Sequence, residues 1–260
     1  MNRNKLSATA RKALRDSFGL WPMHEAKNTV QLGRHVGALR RFEDDEVARL
    51  GPTRPDALVA TVIPTYKRPR LLVDSVESAL AQTVTDQVVV VVDDGAGLPS
   101  LPDDPRLDAV SLSRNTAVLG LVRNVGIRLT SSRFIAFLDD DNTWRADHLE
   151  LALAGLARGA DVVYTAVERR RADGSVLDVL TEDFDRITFR DGTPYVDANS
   201  LVVRRSPDVL FSRLPRTRST LPKEDWEFVH RLAKRHVTEH VPQPTVRYLV
   251  NEDSYYTAWT

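Results

Sequence analysis

The sequence predicts an α/β fold, a mostly parallel central sheet flanked by helices, with an N-terminal helical extension in front. From Leu58 onward, short apolar runs alternate with stretches whose apolar residues recur at helical spacing, as in successive βαβ units. One run, "QVVVVVDDGAG" (87–97), holds five consecutive valines without polar alternation, as expected of a central parallel strand covered on both faces. Three of the expected strands also end in polar clusters, "PTYKR", "DDG" and "DDD". Ligands of open parallel sheets bind outside the carboxyl ends of the strands.

Residues 1–56 read as the extension and its linker. Up to Arg41 they carry nine Lys/Arg against two Asp/Glu, after which "EDDE" (43–46) reverses the sign. Leu14, Phe18 and Trp21 suggest a short amphipathic helix, "VGALRRF" (36–42) another, and "GPTRPD" (51–56) the linker. Two readings of this segment stand: a helical appendage packed on the main domain, or a basic surface for an anionic acceptor, a partner or a membrane face.

The main domain begins with "LVATVIP", a continuous apolar strand, and a helix over 68–82 with Leu72, Val76, Ala79 and Leu80 on one face. The valine strand follows, then a third strand over 107–112, a helix over 117–132 and a fourth strand over 133–139. A helix over 145–159 ends at Gly159, and a further strand covers 161–167. "RRRADGSVL" places an Asp-Gly turn between strand-like runs and reads as a hairpin, which makes the second half a mixed sheet.

Composition narrows the function. The 260 residues are 42% hydrophobic and 28% charged, an ordinary globular balance. Lys+Arg and Asp+Glu both number 36, so no global field favours nucleic acid or membrane. Without cysteine, thiolate metal sites, thiol nucleophiles and disulfides are excluded. No apolar run approaches the roughly 20 residues of a membrane span, and the N-terminus lacks a signal-peptide core. A cytoplasmic protein is expected, with the membrane periphery as the second location.

Adjacent carboxylates without a histidine cluster suit a hard cation such as Mg²⁺ or Mn²⁺, which keeps water and substrate phosphate in its shell. No Walker loop and no GxGxxG follows the first strand. A basic residue on the first strand–helix loop can meet phosphate, and an aspartate ending the second strand can accept from a nucleobase N–H. Together these parts describe a nucleoside diphosphate held through a metal.

The stretches "VIPTYKRPRLLVDSVESALAQT", "VVVVVDDGAG", "GLVRNVGI" and "FIAFLDDDNTWRADHLE" resemble the successive motifs of glycosyltransferase family 2, the inverting nucleotide-sugar transferases of GT-A fold. The resemblance runs from Leu58 to Leu151 and resumes at "LPKEDWEFVHRLAKRH" (221–236). It implies a DxD motif filled by Asp139 and Asp141, with Asp141 the direct ligand of Mn²⁺ or Mg²⁺. It places Pro64, Thr65, Tyr66, Arg68, Arg123, Asp139 and Asp140 around the nucleotide sugar, Asp94 on the base and Asp225 as catalytic base. The donor would be a UDP-, dTDP- or GDP-sugar and the acceptor a hydroxyl on a glycan, a lipid-linked sugar or a small molecule. The rival readings are a nucleotidyltransferase, which needs a glycine that "PTYKRPR" lacks, and a GT-A-like nucleotide-sugar or glycan binder without turnover.

The resemblance divides the chain into a GT-A domain over 57–250, with a nucleotide-sugar half to 151 and an acceptor half over 160–250, and a tail over 251–260. The sequence departs from the family in the long loop "DDGAGLPSLPDD", in Asn142 and in "VRN" for the usual "ARN". His148 reads as a packing residue, Trp144 as a sugar-pocket wall or core, and Asn199 as an acceptor contact or a satisfied strand residue. Of the pair Glu224 and Asp225, only one should face the crevice, because successive helical residues point about 100° apart. Pro222 is expected in the first turn of that helix, Trp226 as an apolar wall, and Asp225 ionised at neutral pH.

Overall fold

The computed structural model describes residues 12–13, 16–51, 57–191, 195–217 and 220–250. Leu14, most of the linker and the tail lie outside the described residues. The first four strands are parallel: β1 (Val59–Thr65), β2 (Gln87–Asp93), β3 (Leu107–Ser111) and β4 (Phe134–Phe137), in the order β3-β2-β1-β4. Beyond β4 the sheet becomes mixed. It continues through β8 (Leu201–Arg204), β6 (Val162–Arg171), β9 (Thr238–Val250) and β5 (Thr143–Trp144), and β7 (Val176–Leu180) pairs with β6. The expected hairpin is β6–β7, turning at Asp173 and Gly174.

The valine strand behaves as its composition demands. Val89 and Val91 enter one core with Leu72 and Val76 of α3 (Pro69–Leu80) and with Leu149 and Leu156 of α5 (His148–Ala157). Val88, Val90 and Val92 enter another with Leu121 and Val125 of α4 (Leu119–Arg128). A third core, around Phe137, Phe211 and Phe228, seats α7 (Glu224–Leu232) against the sheet, and the short α6 (Arg186–Asp191) adds Phe189.

Helices are shorter than periodicity suggests because local backbone ends them. Ala117, with φ 53, precedes α4, and Gly159, with φ 108, follows α5. Pro222 lies ahead of α7 instead of in its first turn, since Lys223 caps that helix in an extended conformation.

The N-terminal segment forms α1 (Leu20–Leu32) and α2 (Val36–Leu50). Leu39, Phe42, Val47 and Leu50 pack on the α4 core, and the acidic "EDDE" lies inside α2 with Glu43 fully buried. Among the described residues no helix is long and apolar enough to cross a membrane.

Register sets up the site. Thr65 stands opposite Asp93, and Asp93 opposite Ser111, so the carboxyl ends of β1, β2 and β3 align.

Candidate active site

At that edge lies a cavity of about 470 Å³, lined by Pro64, Thr65, Tyr66, Arg68, Asp94, Asn115, Ala117, Val118, Leu119, Val122, Asp139, Asp140, Asp141 and Tyr248. Eight of these are residues that the sequence placed at the site. Arg123 and Asp225 are not among the lining residues; Arg123 bonds Asp139, and the charge of Asp225 acts on Arg123.

The two aspartates ending β2 have different tasks. Asp93 folds the loop, accepting from Ala96 N at 2.9 Å, Gly97 N at 2.8 Å and Ser111 Oγ at 2.5 Å. Gly95, directly after Asp94, takes φ +75 and sits so close to the backbone of Arg114 and Asn115 that a Cβ has no room, which is why "DDG" ends in glycine. Asp94 reaches across, accepting from Thr116 N at 2.8 Å, Thr116 Oγ1 at 2.9 Å and Ala117 N at 3.0 Å. In this state it anchors the 115–118 wall of the cavity. Burial raises its pKa, and the bonds from Thr116 and Ala117 oppose that rise.

The "DDD" triplet divides likewise. Asp140 points inward, accepting from Thr65 Oγ1 at 2.7 Å and Arg68 Nη1 at 3.0 Å, and so ties the β1–α3 loop to the end of β4. Burial raises its pKa against those bonds. Asp139 and Asp141 flank it. Asp141 pairs with Arg68 at 2.6 Å; burial, and next the charge of Asp139, push its pKa up to about 7 against the pull of Arg68. Asp139 accepts from Arg123 Nη2 at 2.6 Å and Asn199 Nδ2 at 3.0 Å, while its backbone N–H donates to Asn199 Oδ1 at 2.5 Å. Asn199 in turn donates to Asp197 at 2.6 Å. It sits in a 3₁₀ turn before β8, not in a strand, and orients Asp139.

Arg123 is the hub. Its buried guanidinium lies 4.9 Å from the Phe211 ring centroid and 3.8 Å from Glu224 Oε1. Burial opposes its charge, but Asp139, Asp225 and Glu224 outweigh this and hold it protonated. Its Nε and Nη1 lack hydrogen-bond partners within the described structure. Burial, and next Glu224, push the Asp225 pKa up to about 7 despite Arg123. Burial, with Glu224, Asp197 and Asp139 nearby, thus makes Asp225 harder to ionise than an ordinary carboxyl. Both members of the acidic pair reach this cluster, where helix geometry led us to expect one.

Trp226 is core, 2% exposed, its Nε1 donating to Phe189 O at 2.8 Å. Trp144 and His148 are core as well, stacked with centroids 4.1 Å apart, and burial lowers the His148 pKa to about 3. Among the described residues no three His, Cys, Asp or Glu side chains gather into a ready-made metal cage. Asp139 and Asp141 nonetheless suit a hard cation: they are oxygen donors, 26% and 17% exposed, and a diphosphate and water can complete such a shell.

Sequence reasoning missed Asn115, Ala117, Tyr248 and Asp197. The signal available for Tyr248 was the apolar alternation of "TVRYLV" near the end of the described chain.

Comparison with known proteins supports the class that this fold and site define. The family model "Glycosyl transferase family 2" matches residues 61–194, and the chain belongs to that family. The succinoglycan biosynthesis protein ExoO of Rhizobium meliloti is 35% identical over 130 residues, 48% of this chain and 37% of that protein. The Escherichia coli UDP-Glc:alpha-D-GlcNAc-diphosphoundecaprenol beta-1,3-glucosyltransferase WfgD is 30% identical over 108 residues, 38% of this chain and 41% of that protein. The chain thus spans well under half the length of these two relatives. The S. aureus TarS 1–349 structure in complex with UDP-GlcNAc aligns at TM-score 0.59 and 18% identity, covering 77% of this chain and 60% of that one. The fold is GT-A.

Proposed function

We propose that this chain transfers a sugar from a nucleoside-diphosphate sugar to an acceptor hydroxyl, with inversion at the anomeric carbon. One observation carries the reading. A cavity of about 470 Å³ at the ends of β1, β2 and β4 is lined by Asp139 and Asp141, and Arg123 links Asp139 to the charges of Glu224 and Asp225. A uridine diphosphate sugar is the first donor to test, since WfgD is named for UDP-Glc and TarS was solved with UDP-GlcNAc.

In this reading Pro64, Thr65, Tyr66 and Arg68 bed the nucleotide, and Asp94 meets the base or holds the wall beside it. Asp139 and Asp141 would hold Mn²⁺ or Mg²⁺, and Arg68, now paired with Asp141, would keep its bond to Asp140. When bound, such a cation supplies Lewis-acid stabilisation of charge on the leaving diphosphate. Asp225, as carboxylate, takes the proton of the acceptor hydroxyl. The oxygen forms its bond to the anomeric carbon as the bond to the diphosphate oxygen breaks on the opposite face, and the electron pair leaves with the diphosphate. Arg123 offsets part of the negative charge that Asp139, Glu224 and Asp225 bring together.

The test is turnover of UDP-sugars, including hydrolysis with water as acceptor, by parent, Asp225→Asn and Glu224→Gln. Removing a general base costs typically 10²–10⁴ in rate, so Asp225→Asn should lose that much while keeping donor affinity, and Glu224→Gln should lose far less. Donor binding without turnover in the parent would make the chain a nucleotide-sugar binder, and the reverse ranking of the variants would move the base to Glu224.

A further inference from the structure

The acidic pair sits on the first turn of α7, and no side chain caps that helix at Lys223. The third core seats the body of the helix, and the start of its first turn is held by what anchors the residues ahead of it. The anchors come from the N-terminal helices. On α1, Glu25 grips Arg216 with two bonds of 2.8 Å, and Arg216 also donates to Pro222 O at 2.5 Å. Asn28 of α1 donates to Leu221 O at 3.0 Å. Trp21 lies against Trp226, ring centroids 6.3 Å apart.

On α2, the buried Glu43 accepts from Arg213 Nε and Nη2, both at 2.6 Å, and from Arg128 at 2.9 Å. It also accepts from Asn124 at 3.2 Å, whose amide holds Phe211 by its N–H at 2.7 Å and its carbonyl at 3.1 Å. Phe211 in turn carries Arg123 on its ring.

Bidentate arginine–carboxylate pairs fix orientation as well as adding energy. Here two of them hold Arg213 and Arg216, three residues apart on the chain that leads to Glu224 and Asp225, and the bonds to Leu221 O and Pro222 O hold that chain next to the helix. We propose that α1 and α2 form a brace that positions the acidic pair, with Glu25, Asn28 and Arg216 as positioning residues. This rests on the reading of Asp225 as base.

Glu25→Gln and Asn28→Ala in the full chain test it, well below the melting temperature, by amide exchange and steady-state kinetics. Exchange of amides in 221–228 should quicken at least about ten-fold while β1 and β2 stay protected. A misplaced base costs on the order of 10²-fold, so kcat should fall about ten- to a hundred-fold with the donor KM within two-fold. Unchanged exchange in 221–228, a lower melting temperature with parental kcat, or a rise in donor KM without loss of kcat would each overturn the brace. A parent without transfer from any nucleotide sugar defeats the activity alone, and amide exchange then decides the brace by itself.

Discussion

At the residue scale, neighbouring aspartates of one motif are separated by what their carboxylates touch. Asp93 stays out of the cavity and folds its loop, Asp140 and Asp94 line the cavity while tying loops together, and Asp139 and Asp141 line it beside the arginines. Gly95 shows how little freedom the loop has. Gly95→Ala would meet both a left-handed backbone and the chain at 114–115, neither of which can yield cheaply. The variant should remain folded yet bind nucleotide at least about ten-fold more weakly in calorimetry, through displacement of the wall that Asp94 anchors; parental affinity would show that the wall does not touch ligand. Asp225 carries a pH prediction. Its pKa in the fold, about 7, exceeds the ordinary value of about 3.9. Between those values the folded chain binds more protons than the unfolded one, so this group lowers stability as pH rises from about 4 to 7. Rate runs the other way, because the base works ionised: kcat should fall as pH drops below about 7. The apparent pKa belongs to the cluster with Glu224, Asp197 and Asp139. Asp225→Asn should abolish that acid limb and melt no lower than parent at pH 8; an acid limb near 4 in the parent would contradict both.

At the element scale, α4 carries Arg123 and Asn124 side by side, one facing the carboxylates and one clasping Phe211. Asn124→Ala leaves a buried N–H and carbonyl of Phe211 unpaired, each costing about 1–3 kcal/mol. A loss of about 2–6 kcal/mol, read as a melting temperature about 4–24 °C lower, should result; a drop under about 2 °C would mean that water or the backbone takes over these bonds. Elements were legible where burial imposed a pattern. The valine strand reads directly because both faces are covered, and α3 because Leu72, Val76 and Ala79 form one stripe. The last strand, β9, was not legible, since Pro242 and Pro244 interrupt it. The sheet absorbs them by shifting register opposite Thr165, Ala166 and Val167, as prolines in strands require. Nor could Glu43 be read as buried. Its partners Asn124, Arg128 and Arg213 lie 81, 85 and 170 residues away, and without them an acidic run on a helix reads as solvated.

At the scale of the whole molecule, the parallel half of the sheet supplies most of the cavity, and the mixed half supplies Tyr248 of its lining together with Asp197 and Asn199. The two halves join where β4 meets β8, the place where Asn199 grips Asp139. A ligand bridging them binds only the folded chain and should stabilise it as a unit. At a hundred times its dissociation constant, such a ligand adds about 2.7 kcal/mol, or about 5–11 °C in melting temperature at about 2–4 °C per kcal/mol. Uridine diphosphate with Mn²⁺ should give a shift of this size, and the nucleotide alone a smaller one. Asp141→Asn keeps the shape of the side chain and removes its charge. The same substitution also removes the partner of Arg68, leaving that arginine bonded to Asp140. The nucleotide-only shift should therefore survive, while the increment added by Mn²⁺ should disappear. Equal metal-dependent shifts in parent and variant would take Asp141 out of the metal site. A loss of the nucleotide-only shift as well would instead make its pairing with Arg68 part of the nucleotide bed.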